Sequence, residues 1–303
     1  MIWFWLSLAA LLCWSGSDLL SKLGCQGEDD RLSHLRMVSA VGLVMGLHAA
    51  YEVFIGGTAI SWQIILRYLP VSAFYISSMA VGYLGMRYIE LSLSSPICNA
   101  SGALVVLLCL ITGGVQELVP LQLVAVVPVC AGVIGLGIVE AREDEELRSA
   151  RQEASGRHYA KSWLALALPI LYCLLDTCGT FADSRIIETL NEDSANVAYE
   201  LSFFAVGLFC GIYTVLIRKQ RLLERLSIPR LGAAVFETAG QFAYIHAISD
   251  SGHVALSVPI ISAYCVGSML WGRVFLKEKL SGKHYLMILL VIAGIVVMGV
   301  FDI

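Results

Sequence analysis

The sequence predicts an all-α membrane protein in which ten transmembrane helices form two five-helix repeats that are inverted relative to each other. Three observations predict this fold: an apolar composition, ten apolar stretches of membrane-spanning length, and short segments that occur twice. Of the 303 residues, 58% are hydrophobic and only 15% are charged, and the mean hydropathy is +0.77. A soluble domain is about 25% charged. The composition therefore indicates a chain that lies largely in lipid.

The apolar stretches have about the length, roughly 20 residues, that a helix needs to cross a bilayer. They run near residues 2–21, 35–55, 68–86, 95–114, 119–139, 162–182, 197–217, 230–248, 254–275 and 284–301. Backbone groups in lipid must be hydrogen-bonded within their own segment, and the stretches lack the alternation of barrel strands. Helices are therefore expected throughout.

Internal repeats divide these stretches into two sets of five. Three segments return later in the chain in the same order: "AVGLVMG" at 40–46 as "AVGLFCG" at 205–211, "AGVIGLGIVE" at 131–140 as "AGIVVMGVFD" at 293–302, and "WLSLAALLCWSGSD" at 5–18 as "WLALALPILYCLLD" at 163–176. The glycines of the first segment predict close helix packing. We expect a first repeat over 1–140, a polar linker over 141–161 and a second repeat over 162–303.

Five spans are an odd number, so the second repeat enters the membrane from the opposite face. Inverted repeats of this kind are typical of secondary transporters, in which the halves open a central site alternately to each side. All lysines and arginines except Arg67 and Arg185 fall on one side of the predicted topology. Cytoplasmic loops carry the excess of these residues. We therefore expect a multi-pass protein of the cell (inner or plasma) membrane with both termini outside the cytoplasm.

Several other classes are disfavoured. The net charge of −4 and the lack of a basic patch interleaved with aromatic residues argue against nucleic acid as a partner. The nine cysteines form no C-x-x-C motif and have no histidine at ligand spacing, so no cofactor or metal is expected. A membrane enzyme and a non-transporting scaffold are the alternatives. However, protease and hydrolase motifs are lacking and the longest connection is only about 20 residues.

The segment "GSMLWGRVFLKEKLSGKHYLMILLVIAGIVVMG", residues 267–299, resembles the end of an EamA-type domain of the drug/metabolite transporter superfamily. The first half carries a weaker version, with Glu117 in the place of Glu278. The resemblance implies a transporter of a small organic metabolite or drug-like molecule, often an exporter. It also implies a cavity lined by the third, fourth, eighth and ninth helices, closed by the first and sixth, with the last helix of each half at the periphery.

Glu237 lies near the middle of the predicted span 230–248 and is followed by Gln241 and Tyr244 on the same helix face. A charge at that depth costs about 2.5 to 3.5 kcal/mol on insertion scales, so it should face the bundle interior or a wet cavity. It is interpreted either as a carboxylate that binds a cationic group or a proton, or as a hydrogen-bonded structural acid. No ATP-binding motif is present, so transport would use a gradient, with protons as the candidate coupling ion.

Asp18 and Asp176 occupy the same place in the two repeats, and each follows an aromatic residue, Trp14 or Tyr172, by one turn. An acid beside an aromatic face suits an organic cation or amine. An ordinary ion pair between Asp18 and Lys22 is the alternative.

Prolines in the fourth and ninth spans are the remaining pointer to a substrate site, because broken helices at related places mark such sites. Asn99 and Ser262 lie near Pro96 and Pro259 and are candidate site residues. We expect Pro96 to begin its helix and Pro259 to kink its helix.

Other acids carry weaker signals. His48 and Glu52 are four residues apart and form either a proton relay or a solvated pair. Asp183 and Glu200 are expected near the outer surface, in contact with water. The sequence does not decide between a monomer and a homodimer.

Overall fold

The computed structural model describes residues 2–25, 32–89, 91–112, 120–142, 163–221, 227–276 and 280–300. Throughout these ranges the regular structure is helical, and a continuous or broken helix occupies each of the ten predicted spans. The helices are α1 (Ile2–Gly24), α2 (Ser33–Tyr51), α3 (Trp62–Gly85), α4 (Leu91–Asn99), α5 (Ser101–Thr112), α6 (Pro120–Ala141), α7 (Trp163–Ile186), α8 (Glu192–Ile212), α9 (Ser227–Ile248), α10 (Val254–Ser262), α11 (Tyr264–Phe275) and α12 (Gly282–Val300).

The outer surface has the character of a lipid-facing surface. Large apolar side chains such as Leu47, Phe209 and Leu289 are each more than 60% exposed on the outside of the bundle. Six segments of the described ranges are long and apolar enough to cross a membrane: Ile2–Gly24, Ser33–Gly56, Trp62–Gly85, Ser94–Thr112, Glu192–Ile217 and Ser251–Phe275. The protein is therefore a multi-pass membrane protein.

The fourth and ninth spans are broken in the same way. Helix α4 contains Pro96 and ends at Asn99, and α5 begins at Ser101 after the single residue Ala100. Helix α10 contains Pro259 and ends at Ser262, and α11 begins at Tyr264 after the single residue Ala263. The expectation that Pro96 merely begins its helix is wrong, because a turn of α4 precedes it. Each break places helix ends and small polar residues in the interior of the bundle.

Four long helix pairs hold the bundle together, and each pair joins the N-terminal part of the chain to the C-terminal part. Helix α1 packs along α9, α3 along α7, α2 along α8, and α6 along α12. The buried side chains form two clusters. The larger one lies mainly around α1, α2, α3, α8 and α9, and the smaller one lies mainly among α6, α10, α11 and α12. The α1–α9 and α3–α7 pairs surround the site described below.

Helices α2 and α8 cross at two glycines. A Cβ atom added to Gly42 would lie 2.9 Å from the Cα of Gly207 and 2.8 Å from the carbonyl oxygen of Phe203. Only glycine at this crossing allows the two backbones to approach so closely. The structure therefore agrees with the close packing predicted from "AVGLVMG".

Candidate functional site

A large cavity lies between the helices, with about 940 Å³ of space outside the protein atoms, part of it open to the outside. Its walls come from α1, α3, α4, α7, α8, α9, α10 and α11. All the site residues predicted from the sequence line this cavity: Trp14, Asp18, Asn99, Tyr172, Asp176, Glu237, Gln241, Tyr244 and Ser262. Their role in binding a substrate stays a prediction.

Two of the cavity acids are held by serine hydroxyls. The carboxylate oxygen Oδ2 of Asp18 accepts hydrogen bonds from Ser95 (2.8 Å) and Ser268 (2.7 Å). Asp176 Oδ2 accepts one from Ser101 (2.7 Å). These hydroxyls come from the broken helices, so the breaks and the acids form one arrangement.

Lys22 takes a different place from the one that an Asp18–Lys22 pair would require. Its buried ammonium group donates to the carbonyl oxygens of Met86 and Ile89, each at 2.6 Å. It thereby joins the end of α1 to the turn after α3. The hydrogen-bond donors to Asp18 in the described residues are hydroxyls, which leaves the charge of its carboxylate without a cation at bonding distance.

Glu237 is hydrogen-bonded to α1. Ser17 Oγ lies 2.7 Å from Glu237 Oε2 and donates to it, and the same hydroxyl lies 3.1 Å from the carbonyl oxygen of Ala233. One turn further along α9, Gln241 is only 4% exposed, and its side-chain Nε2 has no hydrogen-bond partner within the described part of the chain. The hydroxyl group of Tyr83 likewise has no hydrogen-bond partner among the described residues. These buried donors are available to a ligand that fills the cavity.

Aromatic rings form much of the cavity wall. Trp14 lies 5.3 Å from Tyr244 and 5.9 Å from Tyr264, measured between ring centroids. The aromatic lining residues are Trp14, Tyr75, Tyr83, Tyr172, Tyr199, Tyr244 and Tyr264. Lysine, arginine and histidine do not occur among the lining residues of the described ranges, whereas three carboxyl groups do. Acids and aromatic faces without a base are the chemistry that suits an organic cation.

Asp183 is bonded to a tyrosine of this wall, Tyr75. The expectation of a water-exposed Asp183 is wrong, because the residue is fully buried. It accepts hydrogen bonds from Tyr68 (2.6 Å) and Tyr75 (3.3 Å), and Tyr75 also bonds to the hydroxyl of Tyr244. Asp176, Thr180 and Asp183 have the same i, i+4, i+7 spacing as Glu237, Gln241 and Tyr244. This spacing is the sequence signal that places Asp183 on the same helix face as Asp176.

Glu200 was also expected at the surface, and it too is fully buried. Its Oε1 and Oε2 atoms lie 2.8 Å and 3.0 Å from Nδ1 of His48, and Asn196 donates to Oε1 at 3.1 Å. The predicted partner of His48, Glu52, is more distant, with 3.8 Å between Nε2 and Oε1. The sequence carries no signal for this pairing because the two residues are 152 positions apart.

The helices around the cavity follow the expected arrangement in part. Helix α3, the broken fourth and ninth spans and α9 line it as expected. The first and sixth spans do more than close it, because α1 and α7 supply Asp18 and Asp176 to the lining. The last span of each half, α6 and α12, contributes no described lining residue.

An all-helical multi-pass protein that encloses a polar cavity reached from outside is the architecture of a small-solute transporter. Residues 180–300 match the EamA-like transporter family. This match covers most of the second half of the chain, and it confirms the resemblance seen in residues 267–299. Glu117, Glu278 and nearly all of the predicted linker 141–161 lie outside the described residues.

A protein of known crystal structure shares this fold over almost its whole length. The TM-score is 0.66 at 14% sequence identity, and the match covers 97% of this chain and 95% of that chain. At this identity the likeness concerns the fold alone. No curated protein matches the sequence at a significant level.

Proposed function

We propose that this protein is a secondary active transporter of the cell (inner or plasma) membrane that moves a small organic metabolite or drug-like molecule by alternating access. Export is the expected direction, and the expected substrate carries a positive charge. The observation that carries this proposal is the convergence of Asp18, Asp176 and Glu237 on one aromatic cavity that has no base in its described lining.

The pairing of the helices supports an inverted repeat of residues 1–140 and 162–303. Exchanging each span with its counterpart five spans away converts the α1–α9 pair into the α7–α3 pair. The same exchange maps the α2–α8 pair and the α6–α12 pair onto themselves. Such an arrangement allows the two halves to exchange conformations, which is the basis of alternating access.

Side-chain packing supports the same relation at the cavity. The ring of Trp14 sits where a Cβ atom of Gly240 would lie, and the ring of Tyr172 sits where a Cβ atom of Gly82 would lie. The two aromatic residues are separated by the same number of positions as the two glycines, and as Asp18 and Asp176. An aromatic ring of the first helix in each half therefore packs on a glycine of the third helix in the other half.

The two halves carry different side chains at one set of related positions in the cavity. By the same spacing, Glu237 and Gln241 of α9 correspond to Met79 and Tyr83 of α3, and all four residues line the cavity. One wall thus carries an acid where the related wall carries a thioether. This difference favours Glu237 as the anchor for a cationic group, with Asp18 and Asp176 as two further acidic contacts.

The test is transport by purified protein in liposomes. Labelled choline, spermidine, lysine and uridine are offered under an imposed pH gradient, with wild type and Glu237→Gln compared at equal protein content. A hydrogen bond to a charged group contributes about 1.5 to 3 kcal/mol, so we expect uptake of the transported cation to fall by roughly 10- to 100-fold.

Glu188→Gln is the matched control, because Glu188 lies in the turn after α7 with a 44% exposed side chain. It should transport like wild type. Equal uptake by Glu237→Gln and wild type would exclude Glu237 as the anchor. A wild-type protein that moves no member of the panel would contradict the transporter proposal itself.

A further inference from the structure

We infer that His48 and Glu200 form a proton-binding site, separate from the cavity, through which pH controls one end of the contact between α2 and α8. The inference rests on the proposed transporter function and names the coupling site within it. Neither residue lines the cavity, although Tyr199, the neighbour of Glu200, does. A proton bound at this pair would therefore act on the movement of helices and leave the substrate-binding groups in place.

Within the described part of the chain, one group can supply a counter-charge to Glu200. Its side chain is fully buried, and the groups that act on it are His48, Asn196 and Glu52. Of these only His48 can become positive. A buried carboxylate without a positive partner is strongly destabilising. The pair must therefore hold a proton in this arrangement, either on the imidazole ring as an ion pair or on the carboxyl group as a neutral hydrogen bond.

The surroundings give the proton a route to the outside. Glu52, in the helical turn that follows α2, faces the other ring nitrogen of His48 at 3.8 Å, and the two side chains are 19% and 28% exposed. From α9, the ring of Phe242 lies 5.7 Å from the imidazole. Behind that ring, His246 bonds to Asp193 at 3.0 Å. The charged groups that act directly on His48 are Glu200 and Glu52.

The glycine crossing makes this pair sensitive to helix movement. Gly42 and Gly207 touch backbone to backbone, with no side chain between them to interlock. His48 lies six residues beyond Gly42, which is about 9 Å along the helix. A rocking movement of α8 against α2 about the glycines would pull His48 and Glu200 apart while the crossing itself stays in contact.

The other end of the same crossing carries a different bond. Arg36 lies six residues on the opposite side of Gly42 and donates from Nη2 to Gln220 Oε1 at 3.0 Å. Opening at the His48 end and opening at the Arg36 end are therefore alternative results of one rotation. Protonation acts on the first bond directly, because it joins a histidine to a glutamate, whereas the second bond contains neither.

The pair is also asymmetric between the halves. In the spacing that relates "AVGLVMG" to "AVGLFCG", His48 corresponds to Tyr213 and Glu200 corresponds to Leu35. Neither of these residues is a histidine or an acid. A transporter with the same groups at both ends of the crossing would respond to pH equally at both, whereas within the described residues the histidine–glutamate pair lies at one end. The asymmetry therefore gives a proton gradient a means to set the direction of transport.

The first test separates coupling from transport, using the double variant His48→Gln/Glu200→Gln in liposomes with labelled choline. Replacing both partners avoids an unpaired buried charge, so the protein should fold and elute like wild type in size-exclusion chromatography. We expect exchange of choline at equal pH to stay within about twofold of wild type, and accumulation driven by a pH gradient to fall at least about tenfold. His246→Gln is the matched control, since it removes a histidine of the same end that bonds to a 44% exposed aspartate, and it should keep both activities.

The second test needs no substrate. Ring-nitrogen NMR of full-length protein in nanodiscs follows the histidines between about pH 5 and about pH 9, the range over which imidazole titrates. The His48 signal is the one lost in His48→Gln. We expect it to titrate in wild type and to shift its midpoint in Glu200→Gln.

The outcomes are distinct from those of the function test. If His48 does not titrate, or if the double variant accumulates choline like wild type, the inference is overturned. If wild type transports nothing, the transporter proposal fails and the NMR titration still decides whether the pair binds a proton.

Discussion

Ser17 donates a hydrogen bond to Glu237 across 220 positions of the chain, with 2.7 Å between the two oxygen atoms. The next residue of α1, Asp18, accepts hydrogen bonds from the two broken helical spans. One turn of α1 therefore brings the acid of α9 and a second acid to the same cavity. Carboxylates that line one cavity repel one another and favour a cation among them.

Asp18→Asn and Asp176→Asn should weaken transport of a cationic substrate to a similar extent, because the two acids occupy related positions and are both held by serines. We expect each change to raise the KM of uptake by about tenfold and the double change to raise it further. The measurement is concentration-dependent uptake into liposomes. Asp250→Asn, which alters an acid of the turn after α9, serves as the control, and an unchanged KM in both single variants would contradict the prediction.

Gly207→Ala should destabilise the protein although alanine is the better helix former. The added Cβ atom would lie 2.9 Å from both the Cα of Gly42 and the carbonyl oxygen of Val38, so the helices must move apart. Overpacking of this kind costs about 1 to 3 kcal/mol. We expect a lower midpoint of thermal unfolding in detergent. Gly282→Ala meets no atom within 4 Å and should leave the midpoint unchanged, whereas equal midpoints for both variants would rule out a tight crossing.

Asp183→Asn should loosen the end of the cavity at which α3 begins, because Tyr68 and Tyr75 both donate to that carboxyl group. The native Cys98 lines the cavity and reports on access to it. We expect a membrane-impermeant thiol reagent, added on that side, to label Cys98 several-fold faster. Cys98→Ser identifies the labelled thiol, and Tyr285→Phe, a change on an exposed tyrosine, should label at the wild-type rate. Slower or equal labelling in Asp183→Asn would show that the tyrosine cluster does not restrict access.

Alkaline phosphatase fused to the C-terminus should be active, as the distribution of lysine and arginine predicts. Arg67 and Arg185, the two exceptions, lie at the same end of the bundle, where they bond to the hydroxyls of Thr189 and Thr112. Cells that express the fusion are assayed for phosphatase activity, with a fluorescent protein at the same site as the control. A fluorescent fusion with no phosphatase activity would reverse the orientation.

The residues predicted for the site line the cavity because the sequence signals for them are local. An acid within an apolar helix, such as Glu237, is costly unless it faces the bundle interior, and the residues at i+4 and i+7 then share its face. The same argument leads from Asp176 to Asp183. However, Asp183 lies near a helix end, where contact with water is the ordinary expectation.

The sequence by itself determined the ten helical spans and the polar face of α9, since apolar length and the period of a helix are properties of each segment alone. Only the tertiary structure decided that Pro96 lies within a helix that breaks, that Asp183 is bonded by tyrosines, and that Glu200 meets His48. These features depend on partners contributed by other helices, and Tyr68 and His48 are 115 and 152 positions away from the acids they contact. Burial of a charged group is decided by what packs against it, and no local pattern records that packing.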